Sequence, residues 1–220
     1  MPDNTEVVPE ISICIAETSD APKPGSWEKD FTENVAAFFQ KFPVRYELLF
    51  PEQHVFSTRA ARLERTVARA RAPLIIVMEA DLRVPLSECF KLLESFFSDP
   101  EMQFVAGDRL HKQKKLRDDQ AAEMETPTEK FFTGIIREKR RWLFKDPFCG
   151  MIAFRKSTFE QMRPHMHSFG WHWTPELQRV AQKLSLKYLE VPIYSAARPS
   201  HWKSSLSEKL GLLLFILFRI

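Results

Sequence analysis

The chain has 220 residues, of which 44% are apolar, so it is long enough to bury a hydrophobic core and short enough to form one domain. Its net charge of +3 does not by itself indicate a nucleic-acid-binding protein, because a groove that follows phosphates needs a clustered basic face. Three scattered cysteines are too few for a disulfide framework. We therefore expect one domain, without a nucleic-acid partner, in a reducing compartment such as the cytoplasm.

Residues 1–9 include two acidic residues and have no apolar stretch behind a basic one, which predicts a disordered, solvated tail rather than a signal or transit peptide. Short apolar or alternating runs then predict strands. These runs lie at 11–15, 45–50, 74–78, 104–106, 151–154 and 188–191. Between them, apolar residues at steps of three and four predict helices with core-facing aromatic side chains. The two clearest sets are Phe31, Val35, Phe38 and Phe39, and Phe90, Leu93, Phe96 and Phe97.

The run at 74–78 has no polar alternation, which predicts a central strand covered on both faces, as in parallel sheets wrapped by helices. Glu79 and Asp81 follow it directly. In open α/β sheets, ligands bind beyond the carboxyl ends of the strands. Two carboxylates at this position suit a divalent metal ion that is also bound to a diphosphate, although carboxylates at strand ends also cap helices.

Basic residues cluster before this strand, at Arg59, Arg62, Arg65 and Arg69, and again at 111–117 and 137–141. Each cluster is consistent with the solvated face of a helix or loop. Residues 111–128 are polar and aperiodic, which fits either a lid over a site or a disordered excursion. The apolar tail at 206–220 is shorter than the ~20 residues that cross a bilayer. It fits a last core helix, an interfacial helix, or the start of a longer hydrophobic part, and we expect the interfacial position.

Four segments carry, in this order, a resemblance to a known family: Glu79-Ala80-Asp81-Leu82-Arg83-Val84-Pro85, Asp146-Pro147-Phe148-Cys149-Gly150-Met151-Ile152-Ala153-Phe154-Arg155, Gly170-Trp171-His172-Trp173-Thr174-Pro175-Glu176-Leu177, and Glu190-Val191-Pro192-Ile193 with Arg198 and Lys203-Ser204. They resemble the Asp-x-Asp and acceptor-side segments of family-2 glycosyltransferases, in the dolichol- and polyprenyl-phosphate mannose and glucose synthase group. The resemblance covers about residues 74–205.

The resemblance implies an α/β chain with the GT-A fold of nucleotide-diphospho-sugar transferases, a mostly parallel central sheet flanked by helices, over residues 10–205. It implies transfer of a hexose from a nucleotide sugar to a polyprenyl phosphate, with inversion, by a protein peripheral to the cytosolic face of a membrane. The nucleophile of that reaction is already an anion, so no strong general base is needed. The cofactor would be Mg²⁺ or Mn²⁺.

The resemblance also implies roles for individual residues. The expected catalytic residues are Asp81, Glu176 and Arg198. The expected donor-binding residues are Glu17, Glu52, Glu79, Arg83 and Lys203. The expected seat for the acceptor phosphate is formed by Arg109, Arg137 and Arg140, because arginine can hold phosphate through two parallel hydrogen bonds. The expected metal ligands are Glu79 and Asp81.

The first third of the chain departs from the family pattern. Glu17 and Glu52 stand where the family has Asn-Glu and Asp-Asp-Gly-Ser strand ends, and arginines replace a helix that normally contains Gly and Asn. Two further hypotheses therefore stay open. One is an inactive binding or regulatory protein with the same fold. The other is an enzyme with a soluble acceptor, which predicts a tail packed into the core.

Overall fold

The computed structural model describes residues 8–16, 27–52, 58–82, 84–111, 127–138, 142–167, 173–195, 210, 213–214 and 216. The strands are β1 (Ile11–Ala16), β2 (Tyr46–Leu49), β3 (Leu74–Glu79), β4 (Phe104–Asp108), β5 (Ile152–Arg155) and β6 (Tyr188–Pro192). The helices are α1 (Trp27–Phe39), α2 (Arg59–Ala68), α3 (Glu88–Ser98), α4 (Pro127–Glu138), α5 (Lys156–Met162) and α6 (Trp173–Lys183), with a 3₁₀ turn at Arg163–His165. All six predicted strands and both predicted aromatic helices are confirmed. The predicted core position of Phe97 is wrong, because this side chain is 72% exposed.

The strands form one six-stranded sheet in the order β2-β1-β3-β5-β4-β6. β1 pairs in parallel with β2 and β3, and β4 pairs in parallel with β6. β5 is antiparallel to both of its neighbours, β3 and β4. Because β5 reverses direction once on each side, the carboxyl ends of the other five strands lie at the same edge of the sheet as the start of β5. Residues that follow β3, β4 and β6 therefore meet residues that precede β5.

Helices cover both faces of the sheet. One face buries α1 and α3, and the other buries α2, α4, α5 and α6. The side chains of β3 alternate between the two cores, with Ile75 and Val77 in one and Ile76 and Met78 in the other. This confirms the prediction that an unbroken apolar run forms a central strand covered on both faces.

The expected tails lie mostly outside the described residues. Of the segment 206–220, the structure describes only Leu210, Leu213, Leu214 and Ile216. Ile216 is fully buried in the core of the α2 face and Leu213 packs against that core, whereas Leu210 and Leu214 are exposed. Among the described residues, no helix combines the length and apolar character that crossing a membrane requires. Ile216 thus packs as a core residue, which is one of the alternatives that the sequence left open.

Candidate functional site

A pocket lies at the edge of the sheet where five strands end. Its lining residues come from the end of β3, the loop after β4, the loop before β5 and the segment after β6: they are Glu79, Val84, Arg109, Gly150, Met151 and Ser195. Two of the predicted site residues, Glu79 and Arg109, therefore share one pocket wall. An acidic and a basic side chain thus converge at the place where α/β sheets bind their ligands.

The Glu79 carboxylate is held from two sides. Arg59, the first residue of α2, places its Nη2 atom 3.2 Å from Glu79 Oε1, and both side chains are about a quarter exposed. On the other side, a Cβ added to Gly150 would lie 2.5 Å from the Cγ and Cδ atoms of Glu79. Any side chain at position 150 would therefore displace the Glu79 carboxylate from this place.

Asp81 lies in the tight turn that ends β3. The Ala80 N–H donates to the Ala16 carbonyl, 3.0 Å away, so the chain is held against β1 up to this residue. Leu82 then takes a positive φ of 51°, which is uncommon for a residue with a side chain and turns the chain sharply. The Asp81 side chain is half-buried in this turn. The turn brings the second carboxylate of the predicted metal pair to the same edge as Glu79.

Arg109 is anchored by Asp146 behind the pocket. Its Nε and Nη2 atoms donate to the two carboxylate oxygens of Asp146 at 2.8 and 2.9 Å, and its backbone N–H donates to the same group at 3.0 Å. The Arg109 and Asp146 side chains are 4% and 0% exposed. Burial alone would lower the pKa of Arg109, but the charge and hydrogen bonds of Asp146, together with Cys149 and Glu129, outweigh it and raise that pKa above its ordinary value. Arg109 therefore carries a positive charge at a fixed position, and its Nε and Nη2 atoms are both bound to Asp146.

The loop that carries Asp146 is itself fixed by polar contacts. Gln178 of α6 donates to the Asp146 carbonyl at 3.0 Å, and Phe148 donates its N–H to the Asp146 carboxylate at 3.3 Å. Glu190 of β6 accepts the N–H groups of Lys145 and Asp146 at 2.7 and 3.2 Å. Burial raises the pKa of Glu190 above its usual range. This network joins α6, β6 and the loop before β5 into one rigid support for Arg109.

Asp108, the last residue of β4, is a buried carboxylate beside this network. Its Oδ1 accepts the Leu110 N–H at 2.9 Å, whereas its Oδ2 has no hydrogen-bond partner within the described part of the chain. Burial, and then the negative charge of Asp146, raise the pKa of Asp108. His111 lies 3.9 Å from Oδ2 and lowers that pKa slightly if it is protonated. Asp108 is therefore a group that burial pushes toward its neutral form.

The other predicted residues do not line this pocket, as far as the structure describes the chain. Glu52 forms an exposed ion pair with Arg69 at 3.1 Å. Glu176 is buried in the first turn of α6 and accepts the His167 N–H. Arg137 is exposed and donates to the Lys145 carbonyl. The remaining predictions, Glu17, Arg83, Arg140, Arg198 and Lys203, lie outside the described residues.

Sequence reasoning missed Arg59 and Gly150. Arg59 belongs to the basic cluster that was interpreted as a solvated helix face, and the structure instead places its guanidinium on Glu79. The available signal was its position, since a helix between parallel strands β2 and β3 must begin at the carboxyl edge of the sheet. Gly150 was quoted as part of a resembling segment without a role, and only the contact with Glu79 reveals one.

The carboxylates of Glu79 and Asp81 are the hard oxygen ligands that Mg²⁺ and Mn²⁺ prefer. Among the described residues, however, no three His, Cys, Asp or Glu side chains are grouped closely enough to hold a metal ion alone. Two carboxylates would leave the remaining coordination positions of an ion to other ligands, such as the oxygens of a bound anion. The two carboxylates do not fit a closed metal site made only of protein ligands.

No protein-family model and no curated protein matches the chain. Solved structures do match it. Glucosyl-3-phosphoglycerate synthase from Mycobacterium tuberculosis in complex with phosphoglyceric acid superposes with a TM-score of 0.65 at 12% identity, covering 95% of this chain and 79% of that chain. The structure of that enzyme with Mn²⁺ and UDP-glucose gives a TM-score of 0.59 at 13% identity, covering 95% and 77%. The chain therefore has the GT-A fold, which confirms the predicted fold class.

Proposed function

We propose that this chain is a glycosyltransferase that moves a hexose from a nucleotide sugar to a phosphate-bearing acceptor. The observation that carries the proposal is the pocket of the GT-A sheet that brings Glu79 and Arg109 to one wall. A carboxylate at the end of β3 suits the metal-bound diphosphate of a donor, and a fixed guanidinium suits an anionic acceptor. The two charges would thus serve the two substrates.

The residues of the chain would act mainly through charge. Glu79 and Asp81 would hold a Mg²⁺ or Mn²⁺ ion, which neutralises the leaving nucleoside diphosphate when bound. Arg109 would place a fixed positive charge near the acceptor phosphate. Because Asp146 binds its Nε and Nη2 atoms, Arg109 would act through this charge rather than by holding the phosphate with two parallel hydrogen bonds. Because that phosphate is already an anion, no group of the protein has to remove a proton from it. We retain Glu176 and Arg198 as the further catalytic candidates.

We propose polyprenyl phosphate as the acceptor and the cytosolic face of a membrane as the location. Both proposals are supported by the four segments that resemble polyprenyl-phosphate sugar synthases. The matched M. tuberculosis enzyme was solved with phosphoglyceric acid, which is also a phosphate-bearing compound. Phosphate recognition is therefore the chemistry common to both classes of acceptor.

A soluble phosphate-bearing acceptor is the second candidate. It is favoured by Ile216, which is fully buried in the core, because a tail that packs inside the protein is less available to a lipid surface. Leu213 packs against the same core. A lipid acceptor instead needs the exposed side chains of this tail, Leu210 and Leu214, to face the membrane.

Calorimetric titration with UDP-glucose, UDP-N-acetylglucosamine and GDP-mannose, with and without Mn²⁺, tests the donor site. We expect metal-dependent binding of one donor that is lost in Asp81→Ala. The matched control is Asp99→Ala, because Asp99 precedes β4 at the opposite edge of the sheet and pairs with Lys187. Loss of binding in both variants, or binding of no donor, would overturn the proposal and favour an inactive binding protein.

The acceptor is tested with the donor that binds. Radiolabelled sugar is offered together with polyprenyl phosphate in detergent or with 3-phosphoglycerate in buffer. Label in the organic phase supports the lipid acceptor, and label in an anionic water-soluble product supports the second candidate. Free sugar alone, at the same rate with and without acceptor, would contradict both acceptors.

A further inference from the structure

Arg59 and Glu79 form an ion pair inside the candidate donor site. Thr58 caps α2 by accepting the Ala61 N–H at 3.2 Å, so Arg59 occupies the first turn of the helix. Ala60, Leu63 and Val67 bury the same helix against the sheet. The helix is therefore anchored at the carboxyl edge, and its first side chain reaches the end of β3.

The Glu79 carboxylate cannot bind the Arg59 guanidinium and a divalent metal ion equally well at the same time. Arg59 Nη2 lies 3.2 Å from Glu79 Oε1, and Gly150 limits where the carboxylate can turn. A divalent ion bound at either oxygen of Glu79 would lie next to the guanidinium. Like charges a few ångströms apart at a partly buried position repel each other more strongly than they do in water. Metal binding at Glu79 therefore requires that Arg59 move.

A bound nucleoside diphosphate would give the Arg59 guanidinium an alternative anionic partner. A guanidinium can hold phosphate oxygens through two parallel hydrogen bonds, and the diphosphate carries more negative charge than one carboxylate. Because α2 is anchored by its apolar face, the side chain of Arg59 moves rather than the helix. The exchange transfers the guanidinium from one anion to another and leaves Glu79 open to the metal ion.

We propose that Arg59 is a built-in counter-cation that makes metal and nucleotide bind together. In the nucleotide-free protein it neutralises Glu79 and weakens metal binding. When a nucleoside diphosphate draws Arg59 away, the metal binds more tightly, and linkage requires that the metal strengthens diphosphate binding by the same factor. This inference rests on the proposed function, because it takes Glu79 as a metal ligand.

Electron paramagnetic resonance of free Mn²⁺ tests the inference without measuring activity. Mn²⁺ is titrated into the wild type, Arg59→Gln and Arg163→Gln, each alone and with UDP or GDP. Arg163 is the matched control, because it forms an ion pair with Glu64 of the same helix α2 at 3.0 Å. We expect Arg59→Gln to bind Mn²⁺ alone on the order of tenfold more tightly than the wild type. Arg163→Gln should match the wild type.

The nucleotide arm measures the coupling. In the wild type, UDP or GDP should raise the Mn²⁺ affinity, and this increase should shrink in Arg59→Gln. Arg59→Lys, which keeps a positive charge beside Glu79, should stay close to the wild type in the titration without nucleotide. Arg59→Lys also shows whether the effect of Arg59→Gln comes from the lost charge. Circular dichroism of each variant shows whether it is folded.

Two negative results have different meanings. If the wild type binds Mn²⁺ and Arg59→Gln binds it no more tightly, the counter-cation role is wrong while the proposed metal site stands. If no variant binds Mn²⁺, even with UDP or GDP present, the proposed metal site is wrong, and so is the inference that depends on it. Equal tightening in Arg163→Gln would also overturn the inference, since the effect would then come from net charge alone.

Discussion

The candidate site contains two arginine–carboxylate pairs at different depths. The front pair, Arg59 and Glu79, lies beside the pocket, and the back pair, Arg109 and Asp146, lies behind it. At the front, Arg59 and Glu79 are 25% and 29% exposed. At the back, Arg109 and Asp146 are 4% and 0% exposed and share three hydrogen bonds. A partly solvated pair can be exchanged for other partners at modest cost, whereas a buried pair cannot open without leaving a bare charge. Depth therefore distinguishes an adjustable charge from a fixed one.

This difference follows from where each pair is attached. Arg59 extends from the first turn of a helix toward a strand end, so one side of the pair faces the pocket. Asp146 lies in a loop enclosed by α6 and β6, where Gln178 and Glu190 bind its backbone. The front of the site is therefore accessible to ligands, and the back holds Arg109 in place.

The largest effect is expected from Asp146→Ala, which removes one partner of the buried pair. The substitution removes the two carboxylate hydrogen bonds of the buried Arg109 guanidinium and, among the described residues, leaves only Glu129, 3.9 Å away, as a counter-charge, so we expect a loss of about 3 kcal/mol in the free energy of unfolding. Urea unfolding followed by circular dichroism measures it. A loss below about 1 kcal/mol would mean that the back of the site is as adjustable as the front.

The matched control is Arg69→Ala. Arg69 and Glu52 also form an arginine–carboxylate pair, at 3.1 Å, but their side chains are 43% and 51% exposed. We expect this substitution to cost at most about 1 kcal/mol, because exposed ion pairs contribute little to stability. If both substitutions had the same cost, burial would not be what separates the pairs.

The strands, the helices and the covered central strand could be predicted from local patterns in the sequence, whereas the GT-A fold was predicted from the resemblance of four segments to a known family. The unbroken apolar run of β3 predicted a central strand, because apolar side chains along a whole strand indicate burial on both faces. The acidic residues at its end predicted a ligand-binding edge of the sheet. Arg59 and Asp146 could not be assigned in this way. Their partners lie 20 and 37 residues away along the chain, and no periodicity connects them. Pairing across that distance is set by the sheet order, in which β5 lies between β3 and β4.

Alanine substitutions at Gly107 and Gly134 compare the tolerance of the tightly packed interior for an added methyl group with that of an exposed helix face. A Cβ on Gly107 would lie 2.8 Å from Cys149 Sγ and would also meet Ile193. We expect Gly107→Ala to destabilise the protein by about 1–3 kcal/mol through overpacking.

In Gly134→Ala the added Cβ meets nothing within 4 Å, and alanine favours the helix. We expect a gain of about 0.5–1 kcal/mol from this variant. Thermal and urea unfolding measure both variants. Destabilisation by Gly134→Ala would show that α4 also packs more tightly than its exposed glycine indicates.

A small effect that depends on pH is expected from Asp108→Asn. Burial, followed by the negative charge of Asp146, raises the pKa of Asp108 above its ordinary value of 3.8, while Lys145 and His111 offset part of that rise. Stability from neutral Asp108 is thus fully present below about pH 4 and is lost as the pH rises through the raised pKa. Asparagine cannot ionise, and its amide supplies donors where Oδ2 has no partner in the described residues. The variant should therefore gain stability relative to the wild type between about pH 4 and 7, by about 1 kcal/mol.

Urea unfolding of both proteins at several pH values across that range measures this gain. Asp99→Asn is the control, since a hydrogen bond from Lys187 lowers the pKa of Asp99. Its stability relative to the wild type should not rise over the same range. A gain for Asp108→Asn that stays constant with pH would mean that folding does not shift the pKa of Asp108, and that the interior behind Arg109 accepts the ionised carboxylate beside Asp146 as readily as water does.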